Sequence, residues 1–354
     1  MGYLDLGGGL AVDYMGGRAM HVHSCNYTLD DYCQAIVGTV AEALDPLDIT
    51  HPNLVTESGR ATVAYSSLLL FNILDVMRFE PISLPQQLEE HSPEALKKLF
   101  AMHNRCSADQ PEENYAEALA CRDRIRDLFR SGEVSLRQRS AAENLFLAVS
   151  RGILDSLTGK EALPESLADL KLSLSDIYYG NFSVFQSLPD TWAIGQVFPV
   201  MPLHRHTERP GRAATLSDLT CDCDGKLDRF FVRDGEQDTL PVHSLREGEE
   251  YLLGVFLMGA YQETLGDLHN LFGDTHVASV RINLDGSFDV LKEINGDTIG
   301  DVLEMVEYRS DLLFETFRAR AEDAVRTGRI SVRERQTMVE EYAANLRGYT
   351  YYER

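Results

Sequence analysis

The chain has 354 residues, 44% of them hydrophobic and 25% charged, with a formal net charge of -23. That length fits one large or two medium domains, each able to bury a core, and the composition is that of an ordinary globular protein. A field of this sign opposes nucleic acid and anionic membrane as partners and attracts a small cationic substrate.

No apolar run approaches a membrane span; the densest, Leu68 to Leu74, is interrupted by Asn72. The N-terminus lacks the basic-then-apolar pattern of a signal peptide. The 6 cysteines follow no disulfide framework, so free thiols in a reducing cytoplasm are expected.

In chain order, Leu4 to Leu6 reads as a strand end running into Gly7-Gly8-Gly9. Glycines after a strand let backbone N–H groups close around a phosphate, or simply make a tight turn. Thr28 is placed to cap a helix, with Asp31 completing a capping box. Tyr32, Ile36, Val37, Val40 and Leu44 keep helical spacing up to Pro46. Leu54 to Thr56 is a short strand, and Glu57-Ser58-Gly59-Arg60 follows its C-terminal end. This strand–helix–strand order is the rhythm of a parallel sheet or (β/α) barrel, where function collects after the strands. Arg60 can fork onto a phosphate. Glu57 is either a solvated surface carboxylate or an acid that holds a protonated ring nitrogen.

Leu68 to Phe79 reads as a buried strand leading out of the first domain. Leu88–Asn104, Glu112–Phe129 and Leu136–Leu157 form a helical block, in which His103, Cys106 and Cys121 are read as packing residues. From Ser173 to Val290 the chain is β-rich, with Asn181 to Asp190 joining a strand to a turn and Asp285-Gly286 marking a hairpin. Thr298–Val306, Asp311–Thr327 and Ser331–Leu346 read as helices. The expected division is therefore 1–86, 87–160, 161–295 and 296–354.

Within the β-rich part, Cys221-Asp222-Cys223-Asp224-Gly225 sets sulfur beside carboxylates in a turn. Free cysteine is usually a buried hydrophobe, but this one joins three other motifs in a set order: Gly7-Gly8-Gly9, Glu57-Ser58-Gly59-Arg60 and Gly259-Ala260-Tyr261. That order resembles the alanine-racemase-like pyridoxal phosphate decarboxylases. Asn181 to Asp190 and His269-Asn270-Leu271-Phe272-Gly273-Asp274-Thr275 narrow the resemblance to the biosynthetic arginine decarboxylase family.

The resemblance implies a partial (β/α)8 barrel, a helical insertion and a β-rich C-terminal domain. It implies pyridoxal 5'-phosphate as cofactor, with magnesium commonly associated, and conversion of L-arginine to agmatine and carbon dioxide in polyamine biosynthesis. Members form dimers or tetramers with active sites shared between subunits. Carried over residue by residue, Gly7, Gly8, Gly9, Gly59, Arg60 and Tyr261 would hold the phosphate, and Glu57 the pyridine nitrogen. Cys221 would return a proton to the α-carbon.

Asp222, with Asp190 and Asp224 as further candidates, would take the substrate's cationic end. The segment Leu4, Asp5, Leu6, Leu10, Ala11, Val12, Asp13 and Tyr14 would contact substrate. The chemistry asks for these types: a carboxylate on the ring nitrogen deepens the electron sink, a positioned acid returns the proton, and carboxylates grip a guanidinium.

None of Lys97, Lys98, Lys160, Lys171, Lys226 and Lys292 stands in the context of the family's Schiff-base lysine. The sequence thus resembles a C-terminal portion without that half. The rival expectations are a non-catalytic relative that pairs with a full-length enzyme, and a metal site built from Cys221, Cys223, His204 and His206.

Overall fold

The chain's first helix begins where its capping residues require. The Thr28 hydroxyl accepts from the Asp31 amide at 3.1 Å, and the Asp31 carboxylate accepts from the Thr28 amide at 2.8 Å. The structure, a computed structural model, describes residues 2–105, 110–157, 164–232 and 235–353. Cys106 and Lys160 fall outside them. Helix α1 (Leu29–Leu44) connects strands β1 (Tyr3–Asp5) and β2 (Asn53–Val55), which pair in parallel with Leu4 opposite Leu54. The short helix α2 (Gly59–Val63) follows. This is the βαβ unit expected of the barrel portion.

Strand β3 (Leu68–Met77) alternates outward and inward, burying Leu69, Phe71 and Ile73. The sequence reading placed it in the first domain. It pairs antiparallel with β4 (Asp176–Gly180) and β11 (Leu252–Phe256), inside the large sheet.

Between β3 and β4 the chain makes the expected helical block: α3 (Glu94–Arg105), α4 (Pro111–Arg130), α5 (Leu136–Ser156) and α6 (Ala168–Ser173). Leu96, Leu99, Ile125 and Leu145 are fully buried between them. The first of these helices starts at Glu94 rather than at Leu88, because Pro93 suits the entry to a helix and not its interior. Its carbonyl accepts the first helical amide, from Leu96, at 3.0 Å.

After β4 come α7 (Val184–Ser187), α8 (Pro189–Ile194), β5 (Val200–Pro202), β6 (Arg212–Ser217) and β7 (Lys226–Leu227). Then follow β8 (Phe230–Val232), β9 (Gly235–Gln237) and β10 (Leu240–Val242). The large sheet runs β10–β6–β4–β3–β11–β5, with β7 beside β6. Its end strands β10 and β5 approach each other, so the sheet curls nearly into a barrel. Tyr178, Phe182, Leu216, Phe230 and Leu253 fill it. The stretch Asn181 to Asp190, expected to be a strand leading to a turn, is mostly helical. Ser183 caps α7, accepting from the Gln186 amide at 3.3 Å, and Pro189 opens α8.

Strands β12 (Val277–Ile282) and β13 (Phe288–Ile294) form the expected hairpin, and α9 (Ile299–Met305), α10 (Ser310–Arg326) and α11 (Val332–Leu346) end the chain. No helix among the described residues is long and apolar enough to cross a membrane.

Candidate active site

The glycine loop lies against the loop that follows β2. The Glu57 amide donates to the Gly7 carbonyl at 2.9 Å, and Gly7 and Gly9 adopt φ of +67° and +100°, which favour glycine. Ser58 is also left-handed, at φ 32°, and its hydroxyl is buried without a hydrogen-bond partner. A buried donor in a strained turn marks a place completed by something else. A cavity of about 390 Å³, lined by Leu10, Ser58, Ala61 and Thr62, opens beside it. Glu57, the residue before Ser58, is exposed.

Arg60 is the hub of this cluster. It donates to the Tyr14 hydroxyl at 3.1 Å and to the Asp190 carboxylate at 3.2 Å, and it lies 5.0 Å from the Tyr261 ring centre. Burial pulls its pKa down, but the Tyr14 and Asp190 contacts outweigh this and leave it above its ordinary value. Gln262 fixes Asp190 from behind: its amide nitrogen donates to the same carboxylate oxygen at 2.9 Å, and its own carbonyl accepts the Asp190 amide at 3.2 Å. Gly259 lets this loop approach, since a Cβ there would stand 1.8 Å from the Val63 carbonyl oxygen. The Tyr261 hydroxyl sits over Gly59, 3.4 Å from where a side chain would begin.

The cysteine loop is organised separately, by buried Asp218. One of its oxygens accepts from the Thr220 amide at 2.8 Å and hydroxyl at 2.7 Å; the other accepts from the Val184 amide at 2.7 Å. A Cβ on Gly225 would fall 2.2 Å from the first oxygen, so only glycine closes the turn. The exposed Cys221 lies against Asn270, whose side-chain oxygen is 3.4 Å from its amide and 3.8 Å from its sulfur. Asp222 pairs with His269. Among the described residues, no hydrogen bond or ion pair joins Cys221 to Glu57 or Arg60. The two clusters meet through the 184–190 segment, where Phe185 packs 4.3 Å from His269 and Asp190 holds Arg60.

Several expected contacts change character. Asp190 is only 7% exposed, and one of its carboxylate oxygens is held by both Arg60 and Gln262. Val12 and Tyr14 are buried in the sheet core, and only Tyr14 offers a polar atom to the cluster. Asp13 binds the Gly16 and Arg18 amides and the Ser24 hydroxyl, which overcome its burial and lower its pKa. Asp5 accepts from the Gly7 amide at 2.8 Å, a turn contact, and the Ala11 amide bonds the Tyr27 hydroxyl.

Leu4 and Leu10 are half-buried and Leu6 lies at the surface, in and beside β1. Gly8 is exposed between its neighbours. Asp224 lines a separate cavity of about 270 Å³ with Trp192, Lys226 and Arg229.

Among the described residues no group of three or more His, Cys, Asp or Glu is arranged for a metal. His206 bonds the Pro202 carbonyl and His204 packs on Tyr251, so the cysteine–histidine metal reading has no geometry. Sequence reasoning passed over Asp218, Gln262, His269 and Asn270. Asp218 had a signal, the Asp-x-Thr spacing of a side-chain-stabilised turn; Gln262 acts only through the tertiary fold.

Comparison with known proteins agrees with this layout. The arginine decarboxylase helical bundle domain matches residues 89–171, and the arginine decarboxylase C-terminal helical extension matches residues 299–352. The biosynthetic arginine decarboxylase of Synechococcus sp. is 41% identical over 100% of this chain and 55% of its own length. That of Phocaeicola vulgatus is 39% identical over 99% of this chain and 56% of its own. The crystal structure of the biosynthetic arginine decarboxylase from Campylobacter jejuni superposes with a TM-score of 0.83 at 30% identity, covering 100% of this chain and 56% of that one. The chain therefore belongs to the biosynthetic arginine decarboxylase family, and it spans about half the length of the curated relatives it matches.

Proposed function

We propose that this chain contributes the cofactor-phosphate pocket and the proton-donor loop to a pyridoxal phosphate-dependent decarboxylation of L-arginine to agmatine and carbon dioxide. The observation that carries this reading is the Arg60 cluster: a part-buried guanidinium, an unpartnered Ser58 hydroxyl that lines a concavity, and the glycine loop bonded to the same turn through Gly7. A dianionic phosphate is the group that such donors fit. Bound there, pyridoxal phosphate supplies the electron sink that loss of carbon dioxide requires.

The chain's own residues do the rest. Arg60 and the loop amides hold the phosphate, and Asp190 with Gln262 fixes the arginine's fork. Glu57, exposed beside Ser58, would bond the protonated ring nitrogen. Cys221 delivers a proton to the α-carbon, and Asp222 accepts the distal guanidinium of the substrate. Cys221 and Glu57 lie in separate clusters of one chain, so a site shared between two chains brings them together, each supplying one cluster.

Lys226, close to the cysteine loop, is occupied by Asp228 at 2.7 Å, so the reactive lysine comes from a lysine-bearing half of the enzyme. The test is saturable uptake of pyridoxal phosphate, followed by absorbance, on mixing the chain with that half. Arg60→Ala is expected to weaken uptake by about tenfold or more, the worth of one charge-assisted contact. Equal uptake by both proteins removes the phosphate assignment and favours a chain that acts by pairing alone.

A further inference from the structure

The loop 269–275 does more than cover the cysteine turn. Its residue Asn270 is left-handed at φ 55° and Leu271 at φ 62°. Asparagine tolerates that region, but a leucine there is strained by roughly 1–2 kcal/mol and persists only where the surroundings enforce it. The enforcement is visible. The Gly273 carbonyl accepts from the buried Tyr351 hydroxyl at 3.0 Å, and the Gly273 amide donates to the Thr350 hydroxyl at 3.2 Å. The Asp274 amide donates to Asp297 at 2.8 Å, and the Gln186 side chain donates to the Asp274 carboxylate at 2.5 Å. A Cβ on Gly273 would meet Asp297 at 2.5 Å, and one on Gly296 would meet the Asp274 carbonyl at 2.1 Å. The loop is thus bolted on one side to the C-terminal tail and on the other to α7.

Its free end reaches the cysteine turn with two adjacent side chains. Asn270 presents one oxygen to both the amide and the sulfur of Cys221, and His269 pairs with Asp222 while its ring rests on Phe185. We propose that Asn270 and His269 are a positioning pair: Asn270 accepts from the Cys221 thiol and so aims it, held by the loop, and His269 sets the Asp222 carboxylate. An amide oxygen accepts S–H but cannot donate, so the contact is made through the thiol hydrogen. No bond is made or broken by the pair. Through Tyr351 and Thr350 the C-terminal helical extension becomes the remote support of the donor thiol. This assignment rests on the reading of Cys221 as proton donor only for its purpose; the contact itself is testable without turnover.

The test is the rate at which iodoacetamide alkylates Cys221 in the full chain at neutral pH, resolved from neighbouring Cys223 by fragment mass spectrometry. Cys223 is also exposed and serves as the internal reference. Asn270→Gly keeps the left-handed backbone and removes the oxygen; it is expected to raise Cys221 alkylation about five-fold relative to Cys223, the worth of one neutral hydrogen bond. Asn270→Asp keeps an oxygen in place and is expected to return the rate to that of the native chain or below it. Tyr351→Phe, which leaves Asn270 intact but loosens its support, is expected to shift the same ratio in the direction of the glycine variant.

An unchanged ratio in Asn270→Gly, with the fold intact by circular dichroism, overturns the proposal, as does an aspartate variant as fast as the glycine one. If the ratio moves as expected while the chain mixed with the lysine-bearing half supports no decarboxylation, the positioning pair stands and the decarboxylase reading falls.

Discussion

At the scale of single residues, the site is built from glycines and carboxylates that have no freedom to vary. Gly259 is the sharpest case, because its missing Cβ is what allows the Tyr261 loop to reach Arg60. Gly259→Ala drives a methyl group into the Val63 carbonyl and the Ser66 hydroxyl. It is expected to cost about 2 kcal/mol or more in denaturant unfolding, together with loss of the Tyr261 contact over Arg60. An alanine variant as stable as the native chain would mean that the loop moves away at no cost. The sequence marked this glycine by its motif, but not by its reason, which lies in a carbonyl from another segment.

At the scale of elements, the helical block meets the large sheet at one ion-pair cluster. Arg212 on β6 donates two hydrogen bonds to buried Asp176 on β4, at 2.6 and 2.7 Å, and a third to Glu80 at 2.7 Å. Arg151 of α5 bonds the Phe79 carbonyl at 2.7 Å beside it. These contacts raise the Arg212 pKa, and the Arg212 hydrogen bond holds the Glu80 carboxyl below its ordinary value of 4.5. A carboxylate with a depressed folded pKa contributes stability that is present above its ordinary value and lost as pH falls through the folded one. Glu80→Gln should therefore lower the melting temperature at neutral pH and converge with the native chain in acid. Melting curves that stay parallel down through the carboxylate range would contradict this.

The pattern of elements was largely legible because helix periods, caps and the Asp285-Gly286 turn are local signals. The helical nature of 184–194 was not legible, because two helices of one turn each carry no period. Nor was the sheet assignment of β3, which depends on partners more than a hundred residues away.

At the scale of the whole molecule, the chain carries two clusters linked by the 184–190 segment, with no hydrogen bond or ion pair joining Cys221 to Arg60 among the described residues. Large apolar side chains stay at its surface. Helix α1 buries none of its residues, and the β12–β13 hairpin exposes Val280, Ile282, Phe288 and Val290. Exposed apolar surface of this extent is a feature of interaction sites, which fits the proposal of a site completed by other protein.

The sequence made the motifs readable one at a time. It could not say which of them share a wall, since Asp190 and Arg60 stand 130 positions apart. Asp190 read as a substrate contact from its motif alone, and burial against Gln262 is what assigned it to Arg60.

The central claim is that the thiol of Cys221 completes a decarboxylase site across two chains. It is measured by carbon dioxide release from carboxyl-labelled arginine, on adding this chain to a full-length arginine decarboxylase whose own donor cysteine has been replaced. The account predicts that the native chain restores release and that its Cys221→Ala variant does not. Restoration by both proteins, or by neither when mixed assemblies have formed, would contradict it.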